Sequence, residues 1–175
     1  MSYDASETVL EHPGRRVRIE TNAQFDALVG AFEEAVPALP DEEALTELRG
    51  DDWAGFVRGL EWTAPYGFVR VSATRPDELM RRAGSDARSV VWSVVHHGIA
   101  ARLFRHDPAT ALASPLRIEA HTSRRPGTTL GFEVPSALLG GFGLNKITQA
   151  GVELDRALGD LLEGLGLPRP SALRR

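Results

Sequence analysis

Histidine, arginine and glutamate residues fall in two places where their spacing could do chemistry. His96 and His97 close an apolar stretch, 89–95, and open a short amphipathic one. An imidazole titrates near neutral pH, which makes His97 the candidate general acid or base. Adjacent residues on a strand point to opposite faces, so His96 and His97 cannot both chelate one ion there. Further on, residues 116–121 read LRIEAH, with Leu116, Ile118 and Ala120 on one face and Arg117, Glu119 and His121 on the other. Glu133 and Arg70 sit at comparable positions in two other alternating runs. If helices cover the apolar face, Arg70, His96, Arg117, Glu119, His121 and Glu133 are the candidate ligand-binding groups, converging on a small polar or anionic molecule. Glu119, Glu133 or His121 could orient the His97 ring, and Trp53, Trp62 and Phe142 could cover the site. The plainer readings are a capping or buried, hydrogen-bonded imidazole for the histidines. For the other residues they are an exposed polar face of cross-strand ion pairs, or a dimer interface.

The elements that must position these groups are legible in the pattern. Residues 16–21 (RVRIET) alternate as a half-buried strand, and Thr21 or Asn22 can cap the helix that follows. Phe25, Leu28, Val29, Phe32 and Val36 recur at helical spacing until Pro37 and Pro40. Residues 41–62 read as a helical insertion, with Trp53, Phe56, Val57 and Leu60 on one stripe. Residues 67–74 alternate again, Val69, Val71 and Ala73 against Phe68, Arg70 and Ser72. Thr74 ahead of Pro76, Asp77 and Glu78 reads as a helix start. Residues 89–95 are apolar and β-branched, the expected central strand. Asp107-Pro108 opens a turn, Pro115 precedes the 116–121 strand, and 128–134 pairs with it as a hairpin. Gly140, Gly141 and Gly143 read as a hinge loop. Asn145 reads as the cap of a long helix with Ile147, Leu154, Leu158, Leu161, Leu162 and Leu165 on one stripe. The ordered core of one domain, 1–175, is expected over 14–167, with a tail at 168–175.

Composition removes whole classes of function. The 175 residues are 42% hydrophobic and 25% charged, ordinary for a globular chain. The net charge of −4, without a basic cluster, argues against nucleic acid as a partner. Cysteine is absent, which excludes disulfides, thiolate metal sites and a cysteine nucleophile. No HExxH, GxSxG, P-loop or GxGxxG pattern is present, so no metal and no cofactor are expected. A metal site from His97, His121 and a glutamate would have to be assembled by the fold. With neither a leader pattern nor a membrane-length apolar run, the chain is expected to be soluble and cytoplasmic.

After Val90 the order of features is specific: IAARLFRHDPATAL, then SPLRI, a strand ending in Val134-Pro135-Ser136, a glycine-rich stretch, and a long helix carrying Leu154-Asp155. Asp107-Pro108, Pro115-Leu116-Arg117 and Pro135-Ser136 stand where the bacterial domain-of-unknown-function 302 (DUF302) family has its Asp-Pro, Pro-Leu-Arg and Pro-Ser pairs. The chain resembles that family, best over 67–165. The resemblance implies a bacterial α+β domain: a mostly antiparallel sheet, helices packed on one face, a long C-terminal helix, and a homodimer. It implies no activity. One departure stands out, because His96-His97 occupies the place where the family has Asn-Pro.

Two functions are compatible with these residues. One is a small-molecule-binding domain, extending to a cofactor-independent enzyme with a histidine acid/base on the polar sheet face. The other is a non-catalytic dimeric structural or regulatory module. The sequence leaves open whether the chain is an enzyme.

Overall fold

The computed structural model describes residues 5–7, 9, 11–40, 53–122 and 126–174. Among the described residues there are five strands: β1 (Arg16–Thr21), β2 (Val69–Thr74), β3 (Ser89–Val95), β4 (Leu116–Thr122) and β5 (Thr128–Glu133). They form one sheet in the order β1-β5-β4-β3-β2, and every neighbouring pair is antiparallel. The helices are α1 (Phe25–Ala35), α2 (Trp53–Thr63), α3 (Pro76–Met80), α4 (His97–His106), α5 (Pro135–Leu139) and α6 (Asn145–Gly164). The fold is α+β with a long C-terminal helix, as the sequence implies. Among the described residues no helix is long and apolar enough to cross a membrane.

Alternation builds the core. Val90, Trp92 and Val94 of β3, Leu116, Ile118 and Ala120 of β4, and Leu130 and Phe132 of β5 are buried on one face. α1 packs Phe25, Leu28, Val29 and Phe32 into the same cluster, and α6 adds Ile147, Leu154, Leu158, Leu161 and Leu162. At its centre Phe32 stacks on Trp92, with ring centroids 4.0 Å apart and planes 18° from parallel. The Trp92 indole Nε1 donates to Glu33 Oε1 at 3.0 Å, so the polar edge of a wholly buried ring is satisfied. α2 stands apart, with Leu60 in a second, small cluster beside Ala64 and Val69. Val69 lies opposite Val95, an odd-numbered position of β3, so α2 sits against one end of the sheet's other face. Of the expected insertion, 41–52 lie outside the described residues.

Several local expectations give way to tertiary partners. The pairing of β2 with β3 shifts register between Arg70 and Ser72. Such an irregularity reverses which face the following residues take, so the simple alternation read for 67–74 does not hold. Thr74 does not cap α3, because its hydroxyl donates across the sheet to the Val91 carbonyl at 3.4 Å and Arg75 takes the cap position. Thr21 accepts from the Ala23 N–H at 3.2 Å, while the cap position of α1 is Gln24. Asn145 is the first residue of α6, after an extended Leu144, and makes no cap bond. The strand at the middle of the sheet is β4, with β3 beside it.

The glycines read as a hinge instead continue α5 as a 3-10 turn, Gly140–Phe142, ended by Gly143 at φ 68°. The stretch after Leu167, read as a tail, carries Leu173 back onto the core. Arg169 ties it to α6 through Glu163 at 2.8 Å and through Asp160. A side chain at Gly159 would come within 2.8 Å of the Arg169 guanidinium, so that close approach needs glycine there.

Candidate functional site

The uncovered face of the sheet carries Arg117, Glu119 and His121 along β4, as alternation predicts. Glu119 and His121 are two apart on one strand and so share a face. The Glu119 carboxylate lies 2.7 Å from His121 Nδ1. In a neutral imidazole, a carboxylate accepting from Nδ1–H selects the tautomer whose Nε2 is an acceptor. Directly across, Gly131 of β5 faces Glu119. A Cβ at Gly131 would stand 2.5 Å from Glu119 Oε1, so the missing side chain makes the space that the carboxylate fills. At the neighbouring rung Arg16 of β1 lies opposite Glu133, and its Nε donates to Glu133 Oε1 at 2.8 Å.

Arg117 is different. Among the described residues it makes no hydrogen bond and no ion pair, although the face around it is rich in acids. Glu133 is engaged by Arg16 and Glu119 by His121. Arg117 lines two grooves at once. One, of about 390 Å³, runs over the sheet between Arg16, Val91, Glu119, Gly131 and Glu133. The second, of about 340 Å³, is apolar and lies between Leu112, Pro115, Leu116, Leu138 and Phe142. Arg117 and Glu133 border both.

The remaining candidates do not join this group. Arg70 faces the helix layer, where its Nε donates to the Val36 carbonyl at 3.4 Å and its Nη1 lies 3.8 Å from Glu33 Oε1. Arg70 pairs with Val94 on the covered face, and the register shift that follows it puts Ser72, paired with Ser93, on the uncovered one. His96 packs edge-on against Phe68, centroids 5.6 Å apart, and fills the space over Gly67, where a Cβ would meet its Nε2 at 2.4 Å.

His97 opens α4 and meets Phe56 edge-on at 5.7 Å. Its Nε2 is buried and finds no hydrogen-bond partner among the described residues. Burial, and then the neighbouring His96, hold its pKa below the ordinary imidazole value, so the ring is neutral near pH 7. It lines a separate cleft of about 490 Å³ with Trp53, Val95, Ala100, Phe104, Thr110 and Ser114. Val95 lines this cleft and Val91 the sheet groove. Both are odd positions of β3, so the two hollows open on one side of the sheet at different heights and share no lining residue. Trp53 therefore stands beside His97, Phe142 beside the apolar groove, and Trp62, 90% exposed, beside neither.

Two residues that shape the site stand outside the candidate set read from the sequence. Gly131 is one; a glycine inside an otherwise regular strand is the usual sign of a close approach. Asp155 is the other. It is wholly buried on α6, and its Oδ1 accepts from the Ser136 N–H at 3.0 Å, capping α5 from a different helix. Its position between Leu154 and Leu158, inside an apolar stripe, is the sequence signal for it. Among the described residues no group of three His, Asp or Glu side chains is placed to hold a metal ion.

The fold is DUF302-like. It is similar to the crystal structure of an uncharacterised conserved DUF302 protein from Bacillus stearothermophilus, with a TM-score of 0.62 over 86% of this chain and 97% of that one. The two are 13% identical, so the likeness is one of fold. No family model matches the sequence, and no curated protein does.

Proposed function

We propose that this chain is a small-molecule-binding domain whose ligand carries an anionic group and lies on the uncovered sheet face, anchored by Arg117. The observation that carries the proposal is that Arg117, without an acid partner among the described residues, lines both grooves. Guanidinium groups take carboxylates and phosphates through paired, charge-assisted hydrogen bonds. The nearby acids, Glu133 and Glu119, are already engaged by Arg16 and His121 and leave that role open. Neither His121 nor His97 lines the sheet groove: His121 is linked to it only through Glu119, and His97 lines the separate cleft, so the reading is one of binding.

The test is a titration of the isotope-labelled protein with small carboxylates, followed by amide chemical shifts. Binding is expected to move Val91, Glu119 and Gly131, and to weaken about ten- to a hundredfold in Arg117→Gln, the loss of one charge-assisted contact. Shifts confined to Trp53, His97 and Ala100 would move the ligand to the His97 cleft and overturn the assignment. No shifts at all, with a dimer whose interface protects β4, would favour the non-catalytic dimeric module.

A further inference from the structure

We infer that the ligand is amphiphilic: a carboxylate whose apolar chain lies in the groove between Leu112, Pro115, Leu138 and Phe142, with its charged end on Arg117. This rests on the sheet-face assignment and adds the chemical class. Three observations carry it. The apolar groove and the sheet groove share Arg117 and Glu133, so one elongated molecule reaches both. At the junction Arg16 engages Glu133 and His121 holds Glu119, which leaves the Arg117 cation without an acid partner among the described residues. The groove is also a built feature. α5 supplies Leu138 and is fixed at its start by Asp155, while the 3-10 turn supplies Phe142. Gly141 lets the segment at His12 close the side, since a Cβ there would stand 2.8 Å from His12 Cβ. Leu112, at the rim, is 95% exposed, a large apolar side chain left bare beside an apolar hollow.

The class follows by exclusion of simpler ligands. Inorganic phosphate would use Arg117 and leave the apolar walls wet. An uncharged alcohol would fill the walls and leave the guanidinium unused. An apolar chain ending in a carboxylate satisfies both parts.

The experiment compares butyrate, hexanoate, octanoate and octan-1-ol on the full chain by calorimetric titration. Affinity is expected to rise about fourfold per added methylene until the groove is filled, the factor for burying one methylene. Octan-1-ol is expected to bind at least tenfold more weakly than octanoate. Leu112→Gln, an uncharged change at a position 95% exposed, is expected to weaken octanoate severalfold and butyrate much less. Leu138→Gln is expected to flatten the dependence on chain length. If butyrate and octanoate bind equally well, the sheet-face assignment stands and the amphiphilic one falls. If no carboxylate binds at any length, both fall.

Discussion

The two faces of the sheet are made by the same strands and obey opposite rules. On the covered face Val90, Trp92, Val94, Ile118, Ala120 and Leu130 meet two helices with nothing left over, and even the Trp92 N–H has its acceptor. On the uncovered face, among the described residues, Arg16 is matched with Glu133 and Glu119 with His121, while Arg18 and Arg117 have no acid partner. The covered face resembles a crystal of side chains, where a missing atom costs contacts on every side. The uncovered face is wet, and its ion pairs contribute little to stability. Its arrangement therefore has to be understood through what it holds in position rather than through how firmly it holds the fold.

Substitutions sharpen this contrast, and the largest effect belongs to the covered face. Trp92→Ala empties the stack on Phe32 and is expected to cost about 3–5 kcal/mol of unfolding free energy, read from urea denaturation. A loss under about 1 kcal/mol would mean that the core is far looser than its burial indicates. Next comes Asp155→Ala, which takes the buried acceptor from the Ser136 N–H; about 2 kcal/mol is expected. Amide exchange should also speed up across α5 more than across α6. On the uncovered face Gly131→Ala is expected to change stability by less than about 1 kcal/mol, because the group it meets is the far end of the Glu119 side chain. The same change should break the Glu119–His121 contact, visible as a redistribution of imidazole tautomers in nitrogen-detected spectra. A large destabilisation with the tautomers unchanged would erase the distinction between the faces.

The smallest effect is a pH dependence set at the strand end by His97. The folded chain resists protonating this ring, whereas the unfolded chain takes up a proton at the ordinary value, about 6.5. The unfolded state then binds more protons, so stability falls as pH drops through that value and levels off once the lowered folded value is passed. Denaturation midpoints measured from pH 7.5 to 5 should show the slope in the wild type and less of it in His97→Gln. An identical slope in both would assign the dependence to other groups.

Much of this was legible in the sequence, for reasons that also explain the misses. Period-two alternation put Arg117, Glu119 and His121 on one face, and it held because β4 and β5 pair without interruption. The same rule failed across β2 because it presumes an unbroken strand. Arg70, paired with Val94, reaches Glu33, and the register shift after it puts Ser72 on the opposite side. The stripe on α6 was readable from its leucines, yet the helix starts depended on groups distant in sequence: Thr74 answers to Val91, and Ser136 to Asp155. The convergence expected of His97 with Arg117 required knowing how far apart along the sheet they stand, which spacing along a chain does not encode.

The bond between Asp155 and the start of α5 has a consequence for how such a groove changes over generations. α5 carries Leu138 into the apolar groove, yet the carboxylate that fixes where α5 begins belongs to another helix and lines none of the three hollows. The width available to a bound chain is thus written partly outside the wall that touches it. Selection for a longer or shorter guest has a dial at position 155 and its packing neighbours. Two relatives could present identical lining residues and still prefer different molecules.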